Sequence, residues 1–274
     1  MQNQRDPHID SQTIDSYQQD GVVLLKGVFR PWIESLAAGV AELMANPSEY
    51  GHARTVVPKD GSSPFFQDYC NWSRIPDFER FVLHSPAAEI AAALMQSKTA
   101  TFFHEHTLVK PPGGSTVTPW HHDQPYYCVE GQQNVSFWIP LDPVAEAISL
   151  RCIRGSHRWG DEFSPTRFNG SKLYAHSRFK ELPDIDAHQD DYDIVSWALE
   201  PGDAVAFHYR TLHGARGNAT ARARRVFSAR WVGDDATFAD RGGVTSPPFP
   251  ELTLKDGEAL VSPLFPRVWP RESC

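Results

Sequence analysis

Residues 118–127 read Thr-Pro-Trp-His-His-Asp-Gln-Pro-Tyr-Tyr and carry side chains suited to binding a metal ion. On an extended strand, residues i and i+2 share a face. His121 and Asp123 can therefore aim at one ion while His122 points away. Choosing His122 instead would pair it with Gln124, a weak ligand. An H-x-D pair joined by a distant histidine makes a set of two histidines and one carboxylate, which leaves positions open on a six-coordinate iron. A solitary H-x-D is common, so the assignment needs a third ligand and an anion partner. The segment 201–214, Pro-Gly-Asp-Ala-Val-Ala-Phe-His-Tyr-Arg-Thr-Leu-His-Gly, offers the ligand. Pro201-Gly202-Asp203 is a tight-turn signature, an apolar strand follows, and His213-Gly214 closes the segment. His208 competes as a core or outer histidine. His213 is preferred because glycine follows it and an arginine cluster lies beyond.

Such ligands need rigid strands behind them. From Thr99 the chain has the texture of short strands with turns between: 99–110, 116–122, 133–141, 147–153, 193–199, 203–208 and 225–232. That spacing predicts a β-sandwich or barrel. Ahead of it lie a helix over 10–20 capped by Asp10 or Ser11, and a buried strand over 21–28. Pro31 then opens a helix with Trp32, Leu36, Val40 and Leu43 on one stripe. A loop rich in Gly, Pro and Ser spans 47–64, and a helical pair covers about 74–84 and 86–96. The expected architecture is α+β in a single domain, 1–274. It has a mainly β core at about 99–232, a helical buttress at about 10–96 and a tail at 242–274 ordered by packing on the body. The polar, poorly periodic segment 160–192 is long enough to act as a lid.

Composition narrows the class. The 274 residues hold 41% hydrophobic and 22% charged side chains, which excludes a disordered chain. No apolar run approaches the ~18 residues that span a bilayer, and the first residues carry no secretory signal. Lys plus Arg total 26 against 34 Asp plus Glu, a net charge of −8, a poor basis for binding nucleic acid or anionic lipid. Cys70, Cys128, Cys152 and Cys274 show neither CxxC nor zinc spacing. They read as reduced thiols, and a cytoplasmic enzyme is expected.

His121-x-Asp123, Gly155-Ser156-His157, Pro201-Gly202-Asp203, His213-Gly214 and the later arginine, in that order, resemble the phytanoyl-CoA dioxygenase family over roughly 15–232. Asp20-Gly21 before a strand and Val109-Lys110-Pro111-Pro112 ahead of Trp120-His121 fit as well. The resemblance implies a double-stranded β-helix, or jelly-roll, and an iron(II)- and 2-oxoglutarate-dependent dioxygenase. It implies His121, Asp123 and His213 on the iron, with O2 as the further co-substrate. The expected outcome is hydroxylation of an aliphatic C–H of a small molecule. A carboxylate at Asp123 favours this over halogenation, since the halogenating relatives carry a small residue there.

The family's 2-oxoglutarate arginine lies about eleven residues past the distal histidine, at Arg224, with Arg225 as the register alternative. Arg222 and Arg230 are then solvated or structural. The family pattern also brings Trp138, Lys110, Thr118 and His104 toward the co-substrate or substrate. Two departures stand out. Ala215 replaces a serine that contacts 2-oxoglutarate in several members. Arg151 and Arg154 are unusual, and are either fixed by salt bridges or touch an anionic substrate. Tyr126, Tyr127, Phe65, Phe66 and Trp72 could line a pocket. A cupin-like metal enzyme without 2-oxoglutarate, or a non-catalytic β-sandwich binding module, are the other classes this pattern allows.

Overall fold

The computed structural model describes residues 9–58, 61, 63–166, 171–174 and 179–271. The chain opens with α1 (Ser11–Asp20), whose cap Asp10 accepts from the Thr13 amide at 2.7 Å. Gly21 ends it at φ 70°, where a side chain would also collide with His157 and Thr211. Then come β1 (Val22–Leu25), α2 (Ile33–Ala45), α3 (Glu49–Arg54), β2 (Phe66–Tyr69), α4 (Pro76–His84) and α5 (Ala87–Met95). The β-rich part follows with β3 (Ala100–Lys110), β4 (Thr118–His121), β5 (Val129–Glu130), β6 (Asn134–Pro140), β7 (Leu150–Ile153) and β8 (Ile194–Val195). It closes with β9 (Ala204–Phe207), β10 (His213–Ala215), β11 (Arg224–Val232), β12 (Thr237–Phe238) and β13 (Arg267–Trp269).

These strands build a mainly β core with a few helices. The large sheet runs β1-β9-β6-β11-β3-β13, with β2 also on β3, and the small one runs β4-β10-β7-β8. Strand alternation divides the large sheet's side chains. Val135, Phe137 and Ile139 of β6 and Phe227, Ala229 and Trp231 of β11 face the helices. There they join Leu36, Val40, Phe78, Phe81 and Ile90 in one buried cluster. Phe81 meets Phe227 edge-on at 5.4 Å, and each such phenyl ring stabilises by roughly 1.5–3 kcal/mol through burial. The alternate residues, Trp138, Val205, Phe207 and Val226, turn inward and pack with Leu150, Cys152 and Ala215 of the small sheet.

Several expectations need correction. The 47–64 stretch is not all loop: α3 forms because the Ser48 hydroxyl caps it, and Asp68 in turn holds that hydroxyl at 2.6 Å. The strand expected over 147–153 begins only at Leu150, after a single turn at Glu146–Ile148, and 193–199 shortens to Ile194–Val195. The large sheet recruits β1, β2 and β13 from outside 99–232, and β13 gives the tail a ladder on β3 rather than packing alone. Of the 160–192 segment, 167–170 and 175–178 lie outside the described residues. Among the described ones its single regular element is a turn at Gln189–Asp191. Among the described residues no helix is long and apolar enough to cross a membrane. Cys70, Cys128 and Cys152 are free thiols, and Cys274 lies outside the described residues.

Candidate metal and co-substrate site

Between the two sheets lies a cavity of about 570 Å³. The small sheet contributes His121 at the end of β4 and His213 at the start of β10, paired opposite each other. Each ring is fixed from behind by its own chain. His121 Nδ1 lies 2.8 Å from the Pro119 carbonyl and His213 Nδ1 lies 2.9 Å from that of Thr211. A carbonyl only accepts, so both Nδ1 atoms donate, which leaves each Nε2 as the nitrogen turned toward Asp123.

Asp123 completes the set, though not as a strand residue. The strand ends at His121, and Asp123 has helical angles at the head of the turn Gln124–Tyr126. Its amide donates to the Tyr209 carbonyl at 2.7 Å, which places the carboxylate. Oδ1 lies 3.6 Å from His121 Nε2 and 3.8 Å from His213 Nε2. The His213 approach is not an ion pair, because burial holds its pKa down at about 3 and the ring neutral. Burial pushes the Asp123 carboxyl up, but its charged surroundings, the Arg230 guanidinium first among them, outweigh it and hold it down at about 2. Two imidazole nitrogens and one carboxylate oxygen converge within 4.8 Å of one another. That donor set suits a divalent first-row metal with open positions, and Fe(II) above all.

His122 turns away as expected. Its Nε2 accepts from the Phe163 amide at 2.9 Å, and burial lowers its pKa to about 4. His208 stands apart from the three donors, facing the Gln132 carbonyl at 3.0 Å and accepting from the Arg210 amide.

The large sheet supplies a cationic wall. Inner-face positions 224, 226, 228 and 230 of β11 run beside 104, 106, 108 and 110 of β3, with Arg224 opposite Lys110. Arg224 is 5% exposed, donates to the Ile148 carbonyl and lies 5.7 Å from the Trp138 ring centre. Burial lowers its pKa to about 10. Lys110 is 2% exposed and donates to the Arg216 carbonyl at 3.1 Å. Burial, and then the charge of Arg224, pushes its pKa down to about 6. Among the described residues lining the cavity, Asp123 is the one carboxylate. Arg225 faces outward into a fork with Asp142 at 2.7 and 3.0 Å.

Thr118, Trp138 and His104 line the same cavity, as do Tyr126, Tyr127 and Phe65. Phe66 and Trp72 do not: they pack on the helical cluster behind the sheet. Arg151 pairs with Asp186 at 3.1 Å and lies over Trp120, while Arg154 pairs with Asp20 and Asp193. Of the two roles open to these arginines, the salt-bridged one is found. Of the two roles expected for Arg222 and Arg230, solvated or structural, Arg222 is exposed and Arg230 is buried against Asp123. Gln67, His106 and Ser228 also line the cavity and went unread in the sequence. The period-2 pattern of β3 and β11, extended from Lys110 and Arg224, is the signal that could have found the last two.

The family model for phytanoyl-CoA dioxygenase (PhyH) matches residues 17–226, most of the chain. The chain belongs to the phytanoyl-CoA dioxygenase family. The expected family is therefore the one found. A probable phytanoyl-CoA dioxygenase of Caenorhabditis elegans is 21% identical over 188 residues, 67% of this chain. The chain spans about half the length of that relative, 55%. Among solved structures, the non-heme alpha ketoglutarate dependent carbocyclase SnoK from nogalamycin biosynthesis superposes with a TM-score of 0.75. It has 21% identity, and the match covers 96% of this chain and 98% of that one. EctD from S. alaskensis, solved with 2-oxoglutarate and 5-hydroxyectoine, gives 0.69 at 18% identity, covering 94% and 87%. At such identities the likeness speaks for a fold that this member of the phytanoyl-CoA dioxygenase family shares with both.

Proposed function

We propose that this chain hydroxylates an aliphatic C–H of a small organic molecule, consuming 2-oxoglutarate and O2 and releasing succinate and CO2. One observation carries the reading. A cavity holds both a three-donor metal face and, on the opposite wall, a buried arginine beside a buried lysine, with no carboxylate among the described residues paired to either. A dianion that reaches from one to the other suits both. His121, Asp123 and His213 would hold Fe(II), which when bound supplies the activation of O2 that drives the reaction. Arg224 would take the far carboxylate of 2-oxoglutarate through its planar fork, with Lys110 as second cation and Trp138 as the apolar wall. Thr118, opposite Ala215 on the neighbouring strand, brings the hydroxyl that Ala215 lacks. His104 would face the substrate.

Small-molecule chemistry accords with the cavity's size and with the ligands named for solved neighbours, 5-hydroxyectoine in EctD and nogalamycin RO in the epimerase SnoN. We read the two facing sheets as a double-stranded β-helix, the chain as one domain and its home as the cytoplasm. The acidic balance argues against a nucleic-acid partner.

Anaerobic titration with Fe(II) and 2-oxoglutarate tests the reading. A weak visible charge-transfer band that requires both supports it. Metal binding indifferent to 2-oxoglutarate would point to a cupin-like enzyme of another kind, and no metal binding to a binding module. Succinate release across a panel of small molecules then finds the substrate.

A further inference from the structure

Arg230 lies on the inner face of β11 and is 5% exposed. Its Nε stands 3.4 Å from Asp123 Oδ2 and donates to the Tyr127 hydroxyl. Its Nη1 donates to the Ser228 carbonyl at 3.2 Å. Ser136 Oγ reaches the same carboxylate oxygen, Oδ2, at 3.5 Å. The other oxygen, Oδ1, is the one that faces the Nε2 atoms of His121 and His213. The two oxygens of Asp123 are thus sorted, one toward the arginine and one toward the histidines.

We infer that Arg230 is a positioning residue: by holding Oδ2 it makes Asp123 present the single oxygen Oδ1 to the metal. The inference rests on reading His121, Asp123 and His213 as the metal face. The terminal torsion of an aspartate is soft and nearly two-fold, so an untethered carboxylate can turn both oxygens to an ion. Chelation through both would occupy a position that the co-substrates need. A guanidinium on one oxygen removes that freedom with a charge-assisted contact. The Tyr127 hydroxyl and the Ser228 carbonyl fix the guanidinium itself, so the restraint passes from Asp123 through Arg230 to the backbone of β11. The pairing also explains the burial of Arg230. A desolvated cation needs an anion, and Asp123 is the one carboxylate among the described residues lining this cavity.

Co(II) titration of metal-stripped wild type, Arg230→Gln, Arg230→Lys and Tyr127→Phe tests this, with affinity, visible ligand-field spectrum and thermal melting all read. Loss of a partner behind a metal ligand weakens binding about 10- to 100-fold, so Arg230→Gln should show a rise of that order in Co(II) Kd. Its spectrum should change shape at near-native melting temperature. Arg230→Lys should recover part of the affinity, having the charge without the planar donors. Tyr127→Phe, a milder change, should shift Kd and spectrum in the same direction by less, and it decides the matter if Arg230→Gln does not fold. Wild-type Kd and spectrum in the deciding variant overturn the inference. A wild type that binds Co(II) no better than His121→Ala overturns the metal-face reading instead, so the two failures are distinct.

Discussion

His121 and His213 are register partners across β4 and β10, and their ring centres stand 4.2 Å apart. One short antiparallel ladder therefore sets two donors of the metal face at once. The third, Asp123, arrives from the turn that ends β4, tied by its amide to Tyr209 on the segment leading into β10. Displacing that ladder by one residue would disperse all three, which is why the site is sensitive to backbone register and tolerant of much else.

We expect His121→Ala, Asp123→Ala and His213→Ala each to abolish Fe(II) binding and turnover while leaving a folded chain, read by metal content and melting. His122→Ala should keep the metal. It strands the Phe163 amide instead, at about 1–3 kcal/mol. A His122→Ala protein without iron, beside a His121→Ala protein that retains it, would reverse the assignment.

Arg224→Ala removes the partner proposed for the far carboxylate of 2-oxoglutarate. Loss of a buried charged pair costs about 2–5 kcal/mol, roughly 30- to several-thousand-fold in affinity. Arg225→Ala breaks a partly exposed fork with Asp142 and should cost at most about 1 kcal/mol of stability, with 2-oxoglutarate binding unchanged. Equal KM for 2-oxoglutarate in wild type and Arg224→Ala would remove Arg224 from the site.

On the proposed reading, Lys110 should link co-substrate binding to protons. Its pKa is held at about 6 in the cavity, whereas an unfolded lysine titrates near ~10.4. Between these values the unfolded chain binds the extra proton, so this term penalises the fold most at and below about pH 6. The penalty fades as pH rises toward ~10. Lys110→Met should accordingly melt above wild type near pH 6, with the gap closing at alkaline pH. A carboxylate brought beside the amine favours its charged form. Wild type should therefore take up a proton on binding 2-oxoglutarate near pH 7.5, visible as a calorimetric enthalpy that depends on the buffer. The same dependence in Lys110→Met would place the proton elsewhere.

Tyr126 fastens the near end of the 160–192 segment. Its hydroxyl donates to the Thr166 carbonyl at 2.8 Å and accepts from the Thr166 amide at 2.9 Å, and Thr166 and Leu173 line the cavity. If this segment is the lid, Tyr126→Phe should raise its rate of proteolysis. Losing 1–2 kcal/mol of local restraint corresponds to roughly five- to thirtyfold. Wild type should be protected by iron, 2-oxoglutarate and substrate together. Identical cleavage patterns with and without ligands would make the segment a plain surface loop.

The parts legible in the sequence were those whose signal is local. His121-x-Asp123 and the Pro201 turn announce themselves within ten residues, and the period-2 pattern of β11 separates Arg224 from Arg225. Even there Asp123 sits where expected for a different reason, since a turn, not a strand, aims it. Arg230 was illegible because its partner arises from β11 lying beside β6 and from the turn after β4, whose Tyr127 lies 103 residues away in the chain. The helix α3 was hidden for the same kind of reason, its cap depending on Asp68, twenty residues on. Strand β10, three residues long, has no periodicity to read.

The hydrogen bond from each ligand histidine to a carbonyl two residues earlier has a consequence for how such a protein can change. The nitrogen turned toward the other donors is chosen by the chain's own main-chain atoms, so no side chain of the cavity wall takes part in choosing it. Residues such as Phe65, His106 or Ser228 can be exchanged, reshaping the room in which a substrate lies, without touching either carbonyl. Redesign of the large-sheet wall toward a new substrate should therefore leave the affinity for Fe(II) where it is, provided that Arg230 is kept.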